Sequence, residues 1–173
     1  MTETRLALHH NGFSCNHDDF RRALRHVAST VHVIATRSEG RFFATTATAV
    51  ISVCLDPPTL AVCLNRSNVM AKHVRYGSAI TISALARHQS NIAQACAGGV
   101  PHEERVRFFG DGDLSGPGGV ADAEACFAGT CVDIVEIGTH ALLVVNIESV
   151  VCGGDVSPLI YLDAKYGSFE SRA

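Results

Sequence analysis

Residues 45–58 read Thr-Thr-Ala-Thr-Ala-Val-Ile-Ser-Val-Cys-Leu-Asp-Pro-Pro. Thr, Val and Ile dominate the run, and such β-branched side chains suit the pleated, half-buried backbone of a strand. Pro57 and Pro58 close it, because proline donates no ladder hydrogen bond. The feature to explain is the number of hydroxyls: Thr45, Thr46, Thr48 and Ser52 sit in a segment otherwise built for a core. Side chains alternate between the faces of a strand. A single strand would put Thr46, Thr48 and Ser52 on one face and Ala47, Ala49 and Ile51 on the other. Such a face can line a pocket that is polar on one side; the plainer account is that threonine favours strands.

Working outward, Phe20, Ala23, Leu24 and Val27 recur at helical spacing. Asn16 or Asp18 can cap that helix, and the early acids suit its N-terminus. Residues 31–36 predict a first strand, with a turn at Ser38-Glu39-Gly40, and residues 45–55 a second. Residues 59–64 predict a third strand. Ser67 can then cap a short helix through Met70 and Val74 that Gly77 stops. Residues 79–85 predict a fourth strand, and residues 88–97 a helix with Ile92, Ala93 and Cys96 facing inward. Residues 98–119 are rich in glycine and charge, and predict a long loop too polar for the core. Two long strands over 125–137 and 141–152 flank a turn at Gly138-Thr139-His140, and residues 158–161 predict the last strand.

The predicted fold class is therefore mainly β with short helices, a closed or nearly closed barrel. No GxGxxG follows a strand, which argues against a Rossmann-type nucleotide site. Residues 1–17 are expected to form a flexible arm and residues 18–173 one domain.

Composition narrows the function. The chain has 173 residues, of which 47% are hydrophobic and 18% charged, enough for one domain with a substantial core. Its formal net charge of -3, with no basic block, argues against nucleic acid as a partner. The first 16 residues lack the apolar run of a signal peptide, and no segment approaches the roughly 20 apolar residues that span a bilayer. The expectation is a cytoplasmic protein with no membrane partner. Seven cysteines, an odd number, argue against a disulfide framework. Cys54, Cys63 and Cys96 are expected in the core. Neither Cys15-Asn16-His17 nor Cys126 with Cys131 has the paired spacing of a zinc site, so no metal is expected. His9 and His10 are expected to be exposed, and His32 to be packed.

Several segments, in order, resemble the short-chain flavin reductase family, the reductase components of two-component flavin-dependent monooxygenases. Residues 20–24 (FRRAL) resemble its opening helix and residues 31–36 (VHVIAT) its first strand. Residues 46–58 resemble its most specific signature, which ends in SVSLDPP. Cys63-Leu64-Asn65-Arg66-Ser67 follows at the family distance. Gly138-Thr139-His140 resembles a Gly-Asp-His turn, and Pro158-Leu159-Ile160-Tyr161 with Lys165-Tyr166-Gly167 resembles the closing motif. The likeness covers residues 18–169.

The resemblance implies a split β-barrel of the FMN-binding type, a homodimer, FMN or FAD as cofactor, and NADH or NADPH as substrate. It implies transfer of the nicotinamide C4 hydride to flavin N5, with no catalytic acid or base, and delivery of reduced flavin to a partner oxygenase. By the same likeness, Thr45, Thr46, Ala47, Thr48 and Ala49 meet the isoalloxazine and ribityl groups. Ser52 and Val53 lie toward the phosphate. Cys63, Leu64, Asn65 and Ser67 close the neighbouring wall, and Ser83-Ala84 approaches the flavin. His140 is implied in nicotinamide binding, and Arg107-Phe108-Phe109 either covers the site or anchors its loop. The sequence departs from the family at Thr45 (often Met), Ala49 (often Ser), Val50 (usually Phe), Cys54 (Ser) and Ser83 (commonly Asn). A non-catalytic flavin-binding or electron-carrying split barrel is the alternative reading.

Overall fold

The computed structural model describes residues 16–110, 116–154 and 156–170. In chain order the elements are α1 (His17–Leu24), β1 (Ser29–Thr30), β2 (His32–Ser38), β3 (Arg41–Ala47), β4 (Val50–Leu55), β5 (Pro58–Asn65), β6 (Ala79–Ala84), α2 (Ser90–Gln94), α3 (His102–Arg105), β7 (Ala125–Ile137), β8 (His140–Cys152), β9 (Leu159–Leu162) and β10 (Lys165–Ser168). Seven strands form one sheet in the order β3-β2-β6-β7-β8-β5-β4, and β1-β9-β10 form a second. Every pairing is antiparallel.

One apolar cluster takes side chains from both ends of the large sheet. Ile34 of β2, Phe43 and Ala47 of β3, Ile80 and Ile82 of β6, Leu143 and Val145 of β8, and Val62 and Leu64 of β5 all join it. Strands at opposite ends can share a core only if the sheet rolls around it. The ladder does not close, because β3 and β4 are its two edges. Together these give the split, mainly β architecture. The other face of β2 carries Val33 and Ala35, with Val31 just before it, into a second cluster with Phe42, Ala44, Ala93, Cys96, Val120 and Leu159. The segment after β6 and strand β9 thus cover the outside of the roll.

Several expectations need correction. The run 45–55 is not one strand. It leaves the β2 ladder after Ala47, crosses at Thr48-Ala49, and rejoins the sheet at its far edge against β5. Ala49 marks the crossing by accepting the Cys63 amide N–H at 2.9 Å. The single hydroxyl face therefore does not exist. Cys54 is exposed and Cys63 half-buried, while Cys96 is buried.

Asn16 does cap α1, its Oδ1 accepting the Asp19 amide, but Phe20, Leu24 and Val27 face outward. Asn68, and not Ser67, receives the Met70 amide that opens the short helical turn Met70–Lys72. A further strand, β10, follows β9.

The largest departure concerns residues 98–119. Residues 102–108 are helical, and Arg105 is only 6% exposed. Its guanidinium donates to the carbonyl oxygens of Ala44, Cys96 and Val100. A polar residue can enter the core when its donors find acceptors, and four of the five Arg105 N–H groups here go to backbone carbonyls. Phe109 packs edge-on to Phe42 at 4.8 Å, so the Arg107-Phe108-Phe109 segment anchors its loop. Residues 1–15 of the expected arm, with Cys15, His9 and His10, lie outside the described residues, and His17 already belongs to α1.

Candidate functional site

The crossing at Thr48-Ala49 leaves a cleft of about 480 Å³ at the open seam of the sheet. Thr46, Ala47, Thr48 and Ala49 form one wall. Cys63, Leu64 and Asn65, at the end of β5, form the other with Asn68 and His140. Register explains the gathering: Asn65 pairs directly with His140 across β5 and β8, so the β7–β8 turn and the end of β5 arrive together. Gly138, with φ of 55°, permits that turn.

The hydroxyls divide by task. Thr45 is buried, and its Oγ1 accepts from Asn68 Nδ2 at 2.9 Å. Thr46 Oγ1 donates to the carbonyl of Ala93 at 2.6 Å, tying β3 to α2. Thr48, half-buried on the cleft wall, forms no protein hydrogen bond among the described residues. Asn65 is exposed, and its Oδ1 accepts from both the amide and the hydroxyl of Ser67 at 2.8 Å. The His140 ring is exposed, with Nδ1 2.9 Å from Thr139 Oγ1.

The other expected positions lie elsewhere. Ser52 and Val53 are exposed on β4 outside this cleft. Ser67 is turned toward Asn65. Ser83 is 0% exposed. Its Oγ accepts from the Val120 amide at 3.0 Å and the Cys126 thiol at 3.4 Å. Its parity on β6 turns it outward beneath Val120, and Ala84 is not on the cleft wall either. Asn68 was missed; its spacing from Asn65, three residues on within a turn, is the signal that could have found it.

A buried histidine, His32, lies beside the crossing, and a half-buried one, His102, lies on the outer edge of β3. His32 pairs in register with Ala47 and Ala84. Burial pulls its pKa down to about 4, against a smaller upward push from the Thr30 backbone. Its Nδ1 is buried without a partner among the described residues. His102 Nδ1 accepts the Ala44 amide at 3.3 Å, which only the neutral ring can do. Desolvation, then the nearby Arg105, lowers its pKa accordingly.

The cleft therefore offers apolar groups, the free Cys63 thiol, a free hydroxyl, two amide side chains and an imidazole. Among the described residues its wall carries no carboxylate, and no hydrogen bond joins Cys63 to His140. That donor set suits binding and orienting a polar, planar organic group. Among the described residues no cluster of three or more His, Cys, Asp or Glu gathers to hold a metal ion, and no helix is long and apolar enough to cross a membrane.

A family model described as "Flavin reductase like domain" matches residues 24–170. The chain is 32% identical over 151 residues to an FMN reductase (NADH), RutF 1, of Methylorubrum extorquens, covering 85% of this chain and 74% of that one. It is 28% identical over 167 residues to FMN reductase (NADH) RutF of Pantoea ananatis, covering 96% and 88%. A Haemophilus somnus 129PT structure assigned as a flavin reductase superposes with a TM-score of 0.83 at 28% identity, covering 90% of this chain and 100% of that one. The styrene monooxygenase flavin reductase of Pseudomonas putida S12 shares the fold, with a TM-score of 0.77 at 21% identity and coverage of 90% and 99%.

Proposed function

The chain belongs to the flavin reductase like domain family, and from that premise we propose that it is an NADH-dependent flavin reductase whose cleft at Thr46–Ala49 holds FMN or FAD. The observation that carries the proposal is the juxtaposition of the β3–β4 crossing with His140 across one cleft inside the matched region. The donor set fits a flavin: Thr48 has a hydroxyl to give, and no charge on the cleft wall opposes a neutral ring. Relatives named as FMN reductases (NADH) support FMN and NADH as the first pair to test. Bound flavin would supply a two-electron acceptor for the nicotinamide hydride.

The residues of this chain bind and orient. Thr48 and the backbone at Ala47–Ala49 would hold the ring and ribityl edge, and Asn65 and Asn68 the opposite wall. His140, on the rim, would bind the nicotinamide carboxamide. No side chain need shuttle a proton, because the redox group carries the chemistry and the protein supplies position.

Two partners belong to the same reading. The first is a second copy of this chain in a C2 dimer, supported by the apolar outward side chains of β4. The second is an oxygenase that consumes the reduced flavin. This is supported by the likeness to the reductase of a styrene monooxygenase. The test is NADH oxidation followed with added FMN or FAD. Flavin-dependent turnover is expected; flavin binding without NADH oxidation would leave a non-catalytic flavin carrier, and no flavin binding would end the proposal.

A further inference from the structure

A pocket of about 380 Å³ lies between the segment after β6 and the end of β10, and it shares no lining residue with the flavin cleft. The backbone builds it. Residues 85–87 run against residues 157–159: the Leu159 amide donates to the Leu85 carbonyl at 2.8 Å, and the Arg87 amide to the Ser157 carbonyl at 2.9 Å. Gln89 then folds the chain back, its Oε1 accepting the Ala86 amide and its Nε2 donating to the Ala121 carbonyl. Arg87, His88 and Ser90 are left along one wall. The small sheet supplies the other. Alternation on β10 puts Tyr166 and Ser168 on one face. Ser168 pairs directly with Leu159, which is 1% exposed and forms the floor.

The donors of this pocket are unspent. The guanidinium of Arg87, the imidazole of His88 and the hydroxyls of Ser90, Tyr166 and Ser168 form no hydrogen bond or ion pair among the described residues. The ring of Tyr166 packs on Tyr161 with 5.4 Å between centroids. Burial, then Tyr161, raises the pKa of its phenol, so the hydroxyl stays a donor. No carboxylate among the described residues lines the pocket to neutralise Arg87.

A guanidinium ringed by N–H and O–H donors is the complement of an oxyanion, whose oxygens accept several such bonds at once. Tyr166 and Leu159 add an apolar flank. The volume falls among those of pockets for small organic molecules, about 300–1,000 Å³. We propose that this pocket binds a small organic oxyanion, with its charged end on Arg87 and the hydroxyls and its body against Tyr166 and Leu159. This ligand is separate from the flavin and from the nicotinamide nucleotide, and the site stands whether or not the flavin reading holds. A phosphate monoester and a carboxylate share the required chemistry.

The experiment titrates the whole chain with phenyl phosphate, inorganic phosphate and benzoate at constant ionic strength, with and without saturating FMN. Calorimetry gives the affinity. The chain has three tyrosines and no tryptophan, so tyrosine emission reports on Tyr166 as well. At least one of the two aromatic probes is expected to bind, to change that emission and to keep its affinity when FMN is present. For a phosphate monoester site, inorganic phosphate displaces phenyl phosphate and benzoate binds more weakly; for a carboxylate site the order reverses. Arg87→Ala alters an exposed side chain without a protein partner, so it should fold as wild type. Its affinity for the bound probe should fall about tenfold, the worth of one hydrogen bond to a charged group, with part recovered in Arg87→Lys. Tyr166→Phe keeps the ring, should weaken binding about threefold, as loss of one neutral hydrogen bond does, and should abolish the emission change. The proposal is overturned if neither aromatic probe binds, if affinity is unchanged in Arg87→Ala, or if saturating FMN abolishes the binding.

Discussion

The two edges of the large sheet, β3 and β4, are consecutive in sequence yet treated in opposite ways. The outer edge of β3 is clamped. Arg105 takes the Ala44 carbonyl, His102 takes the Ala44 amide, and Thr46 reaches the Ala93 carbonyl. Among the described residues the edge of β4 has no such cover, and Ile51, Val53 and Leu55 stand 61%, 53% and 90% exposed. An unpaired apolar edge invites association unless something covers it. The difference teaches that one edge is finished within the chain and the other is left for a partner. The proposed flavin cleft lies at the crossing between them.

The clamped edge should be the costliest to break. Arg105→Met keeps much of the apolar stem but strands the carbonyls of Ala44, Cys96 and Val100. At about 1–3 kcal/mol for each buried group left unpaired, the loss should reach about 4 kcal/mol. Urea unfolding should show a much lower midpoint at an unchanged m-value. A midpoint within error of wild type would mean that the α3 clamp does not hold β3.

Protonation should strain β2, the strand beside that edge. The folded pKa of His32 is about 4, against about 6.5 for the unfolded chain. The unfolded state therefore takes up the proton first. The His32 contribution is whole above about pH 6.5, shrinks as pH falls, and is gone below about pH 4, for a total of about 3 kcal/mol. His102 shifts in the same direction. His32→Leu should flatten the decline of stability between pH 6.5 and 4; a parallel decline in wild type and variant would assign the acid sensitivity elsewhere.

How legible this contrast was in the sequence depends on the kind of interaction. The β7–β8 hairpin was readable because long alternating runs flank a glycine turn, and its first strand spans Ala125–Ile137 as expected. The crossing at Thr48-Ala49 was not. β-branched residues continue on both sides of it, with no glycine or proline to mark the change of partner. Arg105 was equally hidden, since Pro101-His102-Glu103-Glu104-Arg105 is locally polar and the strand carbonyl it clamps, that of Ala44, lies 61 residues away along the chain. The cleft was legible where it depends on the order of motifs, as with Thr46–Ala49, Asn65 and His140. It was not where parity decides, as at Ser83, or where a turn chooses between neighbours, as with Ser67 and Asn68.

The open edge can be tested by charging it. Val53→Glu alters an exposed side chain, so the monomer should fold normally. In the proposed C2 dimer the substitution occurs twice across one interface and should weaken association by about 2 kcal/mol, roughly thirtyfold in Kd. Sedimentation at several concentrations reads this directly. A wild-type monomer at all of them would leave β4 a bare edge and remove the second copy from the proposal.

The smallest expected effect lies at the crossing itself. Thr45 and Thr46 spend their hydroxyls on Asn68 and Ala93, so removing either would disturb the protein and the cleft together. Thr48 is different: its hydroxyl has no protein partner among the described residues, and Thr48→Val preserves its shape. Stability should therefore stay within about 0.5 kcal/mol of wild type. If that hydroxyl bonds the flavin, affinity should fall by about 1 kcal/mol, roughly fivefold, the usual worth of one neutral hydrogen bond. Flavin titration beside urea unfolding separates the two quantities. Weaker binding at unchanged stability would put the flavin against the crossing, at the junction of the closed edge and the open one. Unchanged affinity would move the flavin away from Thr48 and leave that residue as a connection between strands.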